Sequence, residues 1–315
     1  SRAGENGGRN QKGFPSVPGR AEDGERRSAD TEQGGDWMLG DLHCHTRLSD
    51  GSNTIEDLIF YARRGGLDFI GLVDRDTLSG VTRAEVLGSR YGLQIIGGAE
   101  FSAWDPQRER PVDILCYLPL KPDRLLGICN RLQSVRNQAG HEMLKKVMVS
   151  YPITAEHVGR LLSGGRVLMP EHIMWTLMDL GYTDQLRGDL YRRLFDPEEG
   201  SCFVAAQRMD ARKVIGAIHT AGGFAVMANP MKYRSLDLLE ELAEKGELDG
   251  VEIRAPHISP EAEQVLEGIA DRYSLIKTGG TDFRGANSLD PYPLGSFLTP
   301  PGQLELLFQR PRHGQ

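Results

Sequence analysis

Apolar positions along the chain follow two rhythms that take turns. Short apolar runs bounded by turn residues predict strands: Trp37-Met38-Leu39 running into Asp41-Leu42-His43-Cys44-His45, Phe69 to Val73, Gln94 to Ala99 leading to Glu100, Val112 to Leu118, Phe224 to Ala228, Gly250 to Ile253, and Ser274 to Thr278. Between them lie stripes at helical spacing. Ile55, Leu58, Ile59 and Ala62 follow the helix start Thr54-Ile55-Glu56-Asp57 and stop at Gly65-Gly66. Further helices are predicted over Val81 to Tyr91, over Ala211 to Ala221, and over Leu236 to Lys245 with Ser235 as cap. Ser259-Pro260 opens another in cap-then-proline order. From 121 to 203 the spacing is helical throughout, with helices over Leu125 to Val149, Ala155 to Leu162, Glu171 to Leu180 and Leu186 to Phe195.

About seven strands alternating with helices imply an α/β fold on a parallel sheet. The chain divides accordingly. Residues 1–36, rich in Gly, Arg, Glu and Ser and without periodicity, are expected to be a disordered extension. Residues 37–120 and 204–305 carry the α/β domain, 121–203 form a helical insertion, and 306–315 are read as a tail.

The polar residues break this pattern in one place. His43, His45, Asp74, Glu100, Asn229, Arg254 and Asp282 all fall at the C-terminal ends of predicted strands. A (β/α) barrel or an open α/β sheet gathers its active site there. Alternation along a strand puts His43 and His45 on one face and Cys44 on the other, so two imidazoles can grip one ion. Asp41 and Asp50 add oxygens able to orient an imidazole N–H or hold a second ion. A His-x-His pair alone is equally compatible with two surface histidines beside a turn. Histidines, a glutamate and an aspartate from separate strands are harder to explain as loop polarity.

Composition narrows the range of functions. A net charge of -7 argues against a general nucleic-acid coat or a membrane-surface role. The four cysteines, Cys44, Cys116, Cys129 and Cys202, form no Cys-x-x-Cys pair, which disfavours a zinc knuckle or disulfide framework and points to a reducing cytoplasm. No apolar run approaches the ~18 residues of a membrane span. The chain begins at Ser1 without a methionine, which leaves room for an upstream targeting segment.

With these pieces in order, the sequence resembles the PHP (polymerase and histidinol phosphatase) superfamily of metal-dependent phosphoesterases from about Leu39 to Pro300. The motifs that carry the resemblance are Asp41-Leu42-His43-Cys44-His45-Thr46 with Ser49-Asp50-Gly51, Gly71 to Thr77, Gly98-Ala99-Glu100, Gly222 to Pro230, and Gly279 to Gly285. His172-Ile173 in the insertion looks most like the branch of nucleotide phosphatases and a 5′-to-3′ exoribonuclease. The resemblance implies a distorted (β/α)7 barrel with a helical insertion. It also implies a first metal ion on His43, His45, Glu100 and Asp282, and a second sharing Glu100 with Asp113 and His172. An aspartate at 113 would favour Mn or Mg over Zn. Where the family pattern has further histidines, this chain has Arg75, Arg284 and Asn229. Guanidinium offers no lone pair, so a third ion beside Asp50 is not expected. The two arginines would instead meet a phosphate or Asp50 itself.

Two readings remain open. The first is a phosphoesterase with one or two divalent ions (Mn, Fe, Zn or Mg) that hydrolyses a small phosphorylated molecule, a nucleotide or short RNA ends through a metal-activated water. In it Asp50, Arg75, Arg284 and Asn229 serve catalysis, and Arg75, Arg284, Arg254 and His257 bind substrate. The second is a catalytically degenerate PHP-fold protein acting as a phosphate-ligand or partner-binding module. Arg136 on the long helix could face the pocket and hold a phosphate, but an exposed helical arginine is the more usual case, and Trp175 is read as a packing residue.

Overall fold

All seven predicted strands enter one sheet that curls nearly into a barrel. The computed structural model describes residues 38–162, 167–311 and 313, so the reading of 1–36 falls outside the described residues. In chain order the elements are β1 Gly40–Cys44, α1 Ile55–Arg64, β2 Phe69–Leu72, α2 Val81–Arg90, β3 Gln94–Asp105, β4 Arg110–Tyr117, α3 Leu126–Ser150, α4 Ala155–Gly159, α5 Pro170–Asp179, α6 Asp189–Phe195, β5 Met209–Asp210, α7 Ala211–Thr220, β6 Phe224–Ala228, α8 Leu236–Glu244, β7 Gly250–Arg254, α9 Pro260–Arg272, β8 Ile276–Gly279 and α10 Gln303–Gln309. The spatial order is β1-β2-β3-β4-β6-β7-β8, with the two-residue β5 on the outer reach of β3. The ring closes beyond β8, where Phe283 pairs with Cys44. The Phe283 N–H donates to His43 O and the His45 N–H to Phe283 O, both at 2.9 Å.

The sheet is not wholly parallel, as alternation had implied. β4 runs antiparallel to both β3 and β6. β3 and β4 are joined only by residues 106–109, and so short a connection permits reversal but no parallel crossover. The Gln107 N–H bonds Asp105 Oδ1 at 3.2 Å and Glu109 takes a positive φ of 51°, which together turn the chain. Local signals elsewhere hold. Thr54 and Asp57 form a reciprocal capping box at α1, and Ser259 accepts from the Ala262 N–H at α9. Ser235 is different: its hydroxyl donates to Pro230 O at 3.2 Å and does not cap α8.

Leu42, Phe69, Ile96, Leu115, Phe224, Val226 and Ile276 point into the barrel, and Leu304 and Leu307 of α10 join them from the closed end. Helix α10 therefore runs through the expected start of the tail at 306. Burying each of those leucines contributes about 1.5–3 kcal/mol. The insertion has its own core, in which Met143, Leu144 and Val147 of α3 meet Ile173, Leu177, Leu190 and Phe195. No helix among the described residues is long and apolar enough to cross a membrane.

The Gly279-Gly280 pair is a packing requirement of the closure. A Cβ built on Gly280 would lie 2.3 Å from His43 Cβ and 2.5 Å from its backbone nitrogen. Gly280→Ala must push β1 and β8 apart, at a cost of about 1–3 kcal/mol. Chemical denaturation of the purified variant should show that loss, and an unchanged midpoint would refute the closure argument.

Candidate metal centre

Strand alternation in β1 does what the spacing requires. The His43 and His45 rings lie side by side with centroids 5.1 Å apart, while Cys44 turns into the core between α1 and β2. Glu100 on β3 and Asp282 just after β8 face them. His43 Nε2 is 3.7 Å from Glu100 Oε1 and 3.2 Å from Asp282 Oδ1; His45 Nε2 is 3.4 Å from Glu100 Oε2 and 3.4 Å from Asp282 Oδ1. Donor atoms held tetrahedrally about 2.0–2.2 Å from one ion stand roughly 3.3–3.6 Å apart. These side chains are buried; His43 Nε2 and Glu100 Oε1 lack a well-formed hydrogen bond, while Glu100 Oε2 and Asp282 Oδ1 are met by guanidinium nitrogens. His43, His45 and Glu100 converge closely enough to share a divalent cation, with Asp282 Oδ1 adjoining both imidazoles, and an ion there would satisfy the buried atoms that lack a hydrogen bond.

The surrounding residues orient the donors. Glu252 on β7 lies with Oε1 2.7 Å from His43 Nδ1, so the ring donates there and keeps the Nε2 lone pair for an ion. The sequence reading did not single out Glu252. Its only signal is a carboxylate between Val251 and Ile253 in an otherwise apolar strand. Asp74 accepts from the Thr46 N–H and Oγ1–H at 2.7 Å each and from Ser49 Oγ–H at 2.6 Å, fixing the loop after His45. Asp41 does not orient an imidazole ring or hold a second ion as anticipated. Its carboxylate receives Thr281 N–H at 3.0 Å, Gly295 N–H at 2.8 Å and the Thr281 hydroxyl, so it ties β1 to the chain after β8.

Both arginines enter the site and divide its carboxylates. Asp50 Oδ2 receives Arg75 Nε and Arg284 Nε, each at 2.9 Å. Arg75 Nη2 reaches Glu100 Oε2 at 2.7 Å, and its Nη1 lies 3.1 Å from Ser102 Oγ and 3.6 Å from Asp113 Oδ1. Arg284 Nη1 pairs with Asp282. Burial alone would raise the carboxyl pKa values, but the two guanidinium groups hold Asp50, Glu100 and Asp282 below the ordinary range. Burial disfavours a charged His43, yet the carboxylates of Glu252 and Asp282 overcome it and hold that imidazole well above 6.5.

The remaining candidates are placed differently. Asp113 receives the Tyr233 hydroxyl at 2.8 Å and Arg208 Nη1 at 3.4 Å, neither anticipated from sequence. His172 is the third residue of α5, and its Nδ1 accepts the Met169 N–H at 3.0 Å. Neither belongs to a cluster of three or more metal donors among the described residues. Asn229 has a left-handed backbone (φ 51°) and gives its N–H to Glu252 Oε2 at 3.1 Å, while both polar atoms of its buried side chain lack a partner. Arg254 turns away to Glu263 on α9, and His257 is exposed near the rim. Arg136 is not a solvated helical arginine: it grips Asp76 Oδ2 through Nε at 3.0 Å and Nη2 at 2.7 Å. Trp175 donates to Asn287 Oδ1 at 2.9 Å, in the loop after β8.

Comparison with known proteins identifies the family. The PHP domain profile matches residues 41–274. A phosphoribosyl 1,2-cyclic phosphate 1,2-diphosphodiesterase from Eggerthella lenta is 34% identical over 79% of this chain and 95% of its own. A 5′-3′ exoribonuclease from Haemophilus influenzae is 26% identical over 77% of this chain and 89% of its own. Among solved structures, a protein from Bifidobacterium adolescentis assigned as a metal-dependent phosphoesterase superposes with a TM-score of 0.77 at 26% identity, over 86% of this chain and 96% of that one.

Two outcomes test the centre. Glu252→Gln should weaken divalent-ion affinity roughly 10–100-fold, as expected for an outer-shell partner. Competition against a chelating dye measures this, and equal affinity would exclude the assigned orienting role. The raised pKa of His43 means that the ion must displace a proton, so affinity should climb as pH rises through neutrality. In Glu252→Gln that climb should move to lower pH, because a charge that raised the His43 pKa has gone.

Proposed function

The chain belongs to the PHP-domain family and is a metal-dependent phosphoesterase; from that membership we propose that its hydrolytic centre is a single divalent ion on His43, His45, Glu100 and Asp282, with Arg75 and Arg284 providing the rest of the positive charge. The observation that carries this reading is the position of Arg75. Its guanidinium already spans Asp50, Glu100 and Asp113, and Glu100 and Asp113 are the carboxylates a second ion would share. A permanent cation there supports one ion over two. With Asp113 taken up by Tyr233 and the arginines, its bias toward Mn or Mg lapses. Two imidazoles and two carboxylates suit Zn, Mn or Fe.

When bound, the ion supplies Lewis-acid polarisation and lowers the pKa of water from ~16 toward ~7. The chain's own residues do the rest. Arg284 Nη2 has only long contacts, 3.5 Å to His45 Nε2 and 3.6 Å to Glu100 Oε2, so this donor can turn to a phosphoryl oxygen. Arg75 opposes the charge that develops on the phosphoryl group. Glu252 holds His43, and through its other oxygen the Asn229 backbone, which aims the unpartnered Asn229 amide at the leaving-group side. An amide there can donate a hydrogen bond but not a proton. Arg136 and Arg208 line a cavity of about 160 Å³ with Met169 and Pro170. We assign that wall to the sugar of a small phosphorylated molecule. The name of the Eggerthella relative makes a phosphorylated pentose or nucleotide the first class to examine, in cyclic-diester and monoester form.

Elemental analysis of the chain beside Asp282→Ala should show a difference of one ion per chain, and the variant should also lose hydrolysis. Arg284→Met should keep the ion and lose roughly 10²–10³-fold in kcat, as for removal of one preorganised donor. A loss of two ions in Asp282→Ala, or full activity in that variant, would overturn the single-ion centre. A metal-loaded protein inert toward nucleotides, cyclic phosphates and sugar phosphates would return the fold to the binding-module reading.

A further inference from the structure

A second group of metal-capable donors lies at the other end of the barrel. His219 is near the end of α7, Asp249 immediately precedes β7, and His313 follows α10. His219 Nε2 is 3.0 Å from Asp249 Oδ2, and His313 Nε2 is 2.8 Å from Asp249 Oδ1. The two rings stack with centroids 3.7 Å apart and planes 24° from parallel. Asp249 is held rigidly, since its Oδ2 also accepts the Ala225 N–H at 2.8 Å and its carbonyl accepts Arg310 Nη1 at 2.8 Å. We propose that His219, Asp249 and His313 form a binding site for a divalent transition-metal ion of the zinc, cobalt or nickel class, which fastens the segment after α10 to the barrel end opposite the hydrolytic centre.

Four features point to an ion. Both rings present the same nitrogen to one carboxylate, so three donors converge within 4.8 Å of one another. Face-to-face imidazoles repel if both are protonated, whereas neutral rings ligating one cation do not. The Asp249 side chain is only 9% exposed and turns one carboxylate oxygen to each ring. Two imidazoles and one carboxylate suit a borderline metal better than Mg or Ca. The site is also reachable, because the side chains of His219 and His313 are 20% and 38% exposed. The separations are hydrogen-bond lengths, and an ion about 2.0–2.2 Å from each donor needs them to open by a few tenths of an ångström. Three protein donors leave an open position, so the ion should be held less tightly than in a closed four-ligand site.

The test is a cobalt(II) titration of the whole, chelator-stripped chain, followed by visible absorption and calorimetry, beside His313→Ala and His219→Ala. The parent should bind one more equivalent than either variant, each variant losing affinity at this site by at least about 100-fold, since even an outer-shell partner is worth roughly 10–100-fold. Asp282→Ala should lose the other equivalent and keep this one, which separates the two centres. Zinc should also slow amide exchange over 310–313 in the parent, a readout that needs no variant. Equal stoichiometry and affinity in the parent and both histidine variants, or no zinc-dependent slowing, would reduce the cluster to a hydrogen-bonded clip and overturn the proposal.

Discussion

Asp50, Glu100, Asp113 and Asp282 converge in a space water barely reaches, and such charges can share it only if cations stand between them. That constraint organises the whole barrel mouth. Arg75 and Arg284 answer it in part, crossing on Asp50 and reaching Glu100 and Asp282. His43 and His45 answer it at the other side, where His43 Nε2 and Glu100 Oε1 remain without a well-formed hydrogen bond. A guanidinium never exchanges with solution and never loses its proton. Half of the compensating charge is therefore covalently built in, and only the remainder depends on metal supply.

Much of the fold was legible because its signals are local. The capping box at Thr54, the serine cap at Ser259 and the apolar stripe of α1 each specify structure within a few residues. The antiparallel β4 was missed because element counting sees alternation but not direction. Only the four-residue link after Asp105 reveals the reversal. Helix α10 was missed because its two buried leucines are too few to stand out from a polar end.

The site divides in the same way. His43 and His45 were legible from a period of two, and Arg75 and Arg284 from the lone pairs they lack. Where those arginines would rest was not legible, since Asp50 lies 25 residues from one and 234 from the other. Glu252 was invisible because one strand carboxylate looks like any other until His43 is found opposite. Arg136 was misread because a helical arginine appears solvated unless the partner across the turn, here Asp76, is known.

Helix α3 has 25 residues, about 37 Å of rigid rod. Its first half, with Ile128 and Leu132, packs into the barrel wall, and its second half, with Met143 and Val147, belongs to the insertion core. Gln133 and Arg136 stand at the junction and bind Asp76, beside Arg75. The wall we assign to substrate is thus cantilevered from a beam anchored beside Arg75. A different insertion grafted beyond Arg136 would inherit the correct height and bearing over the metal donors without altering any of them. Selectivity can then diversify at one end of this helix while the hydrolytic apparatus at the other stays fixed.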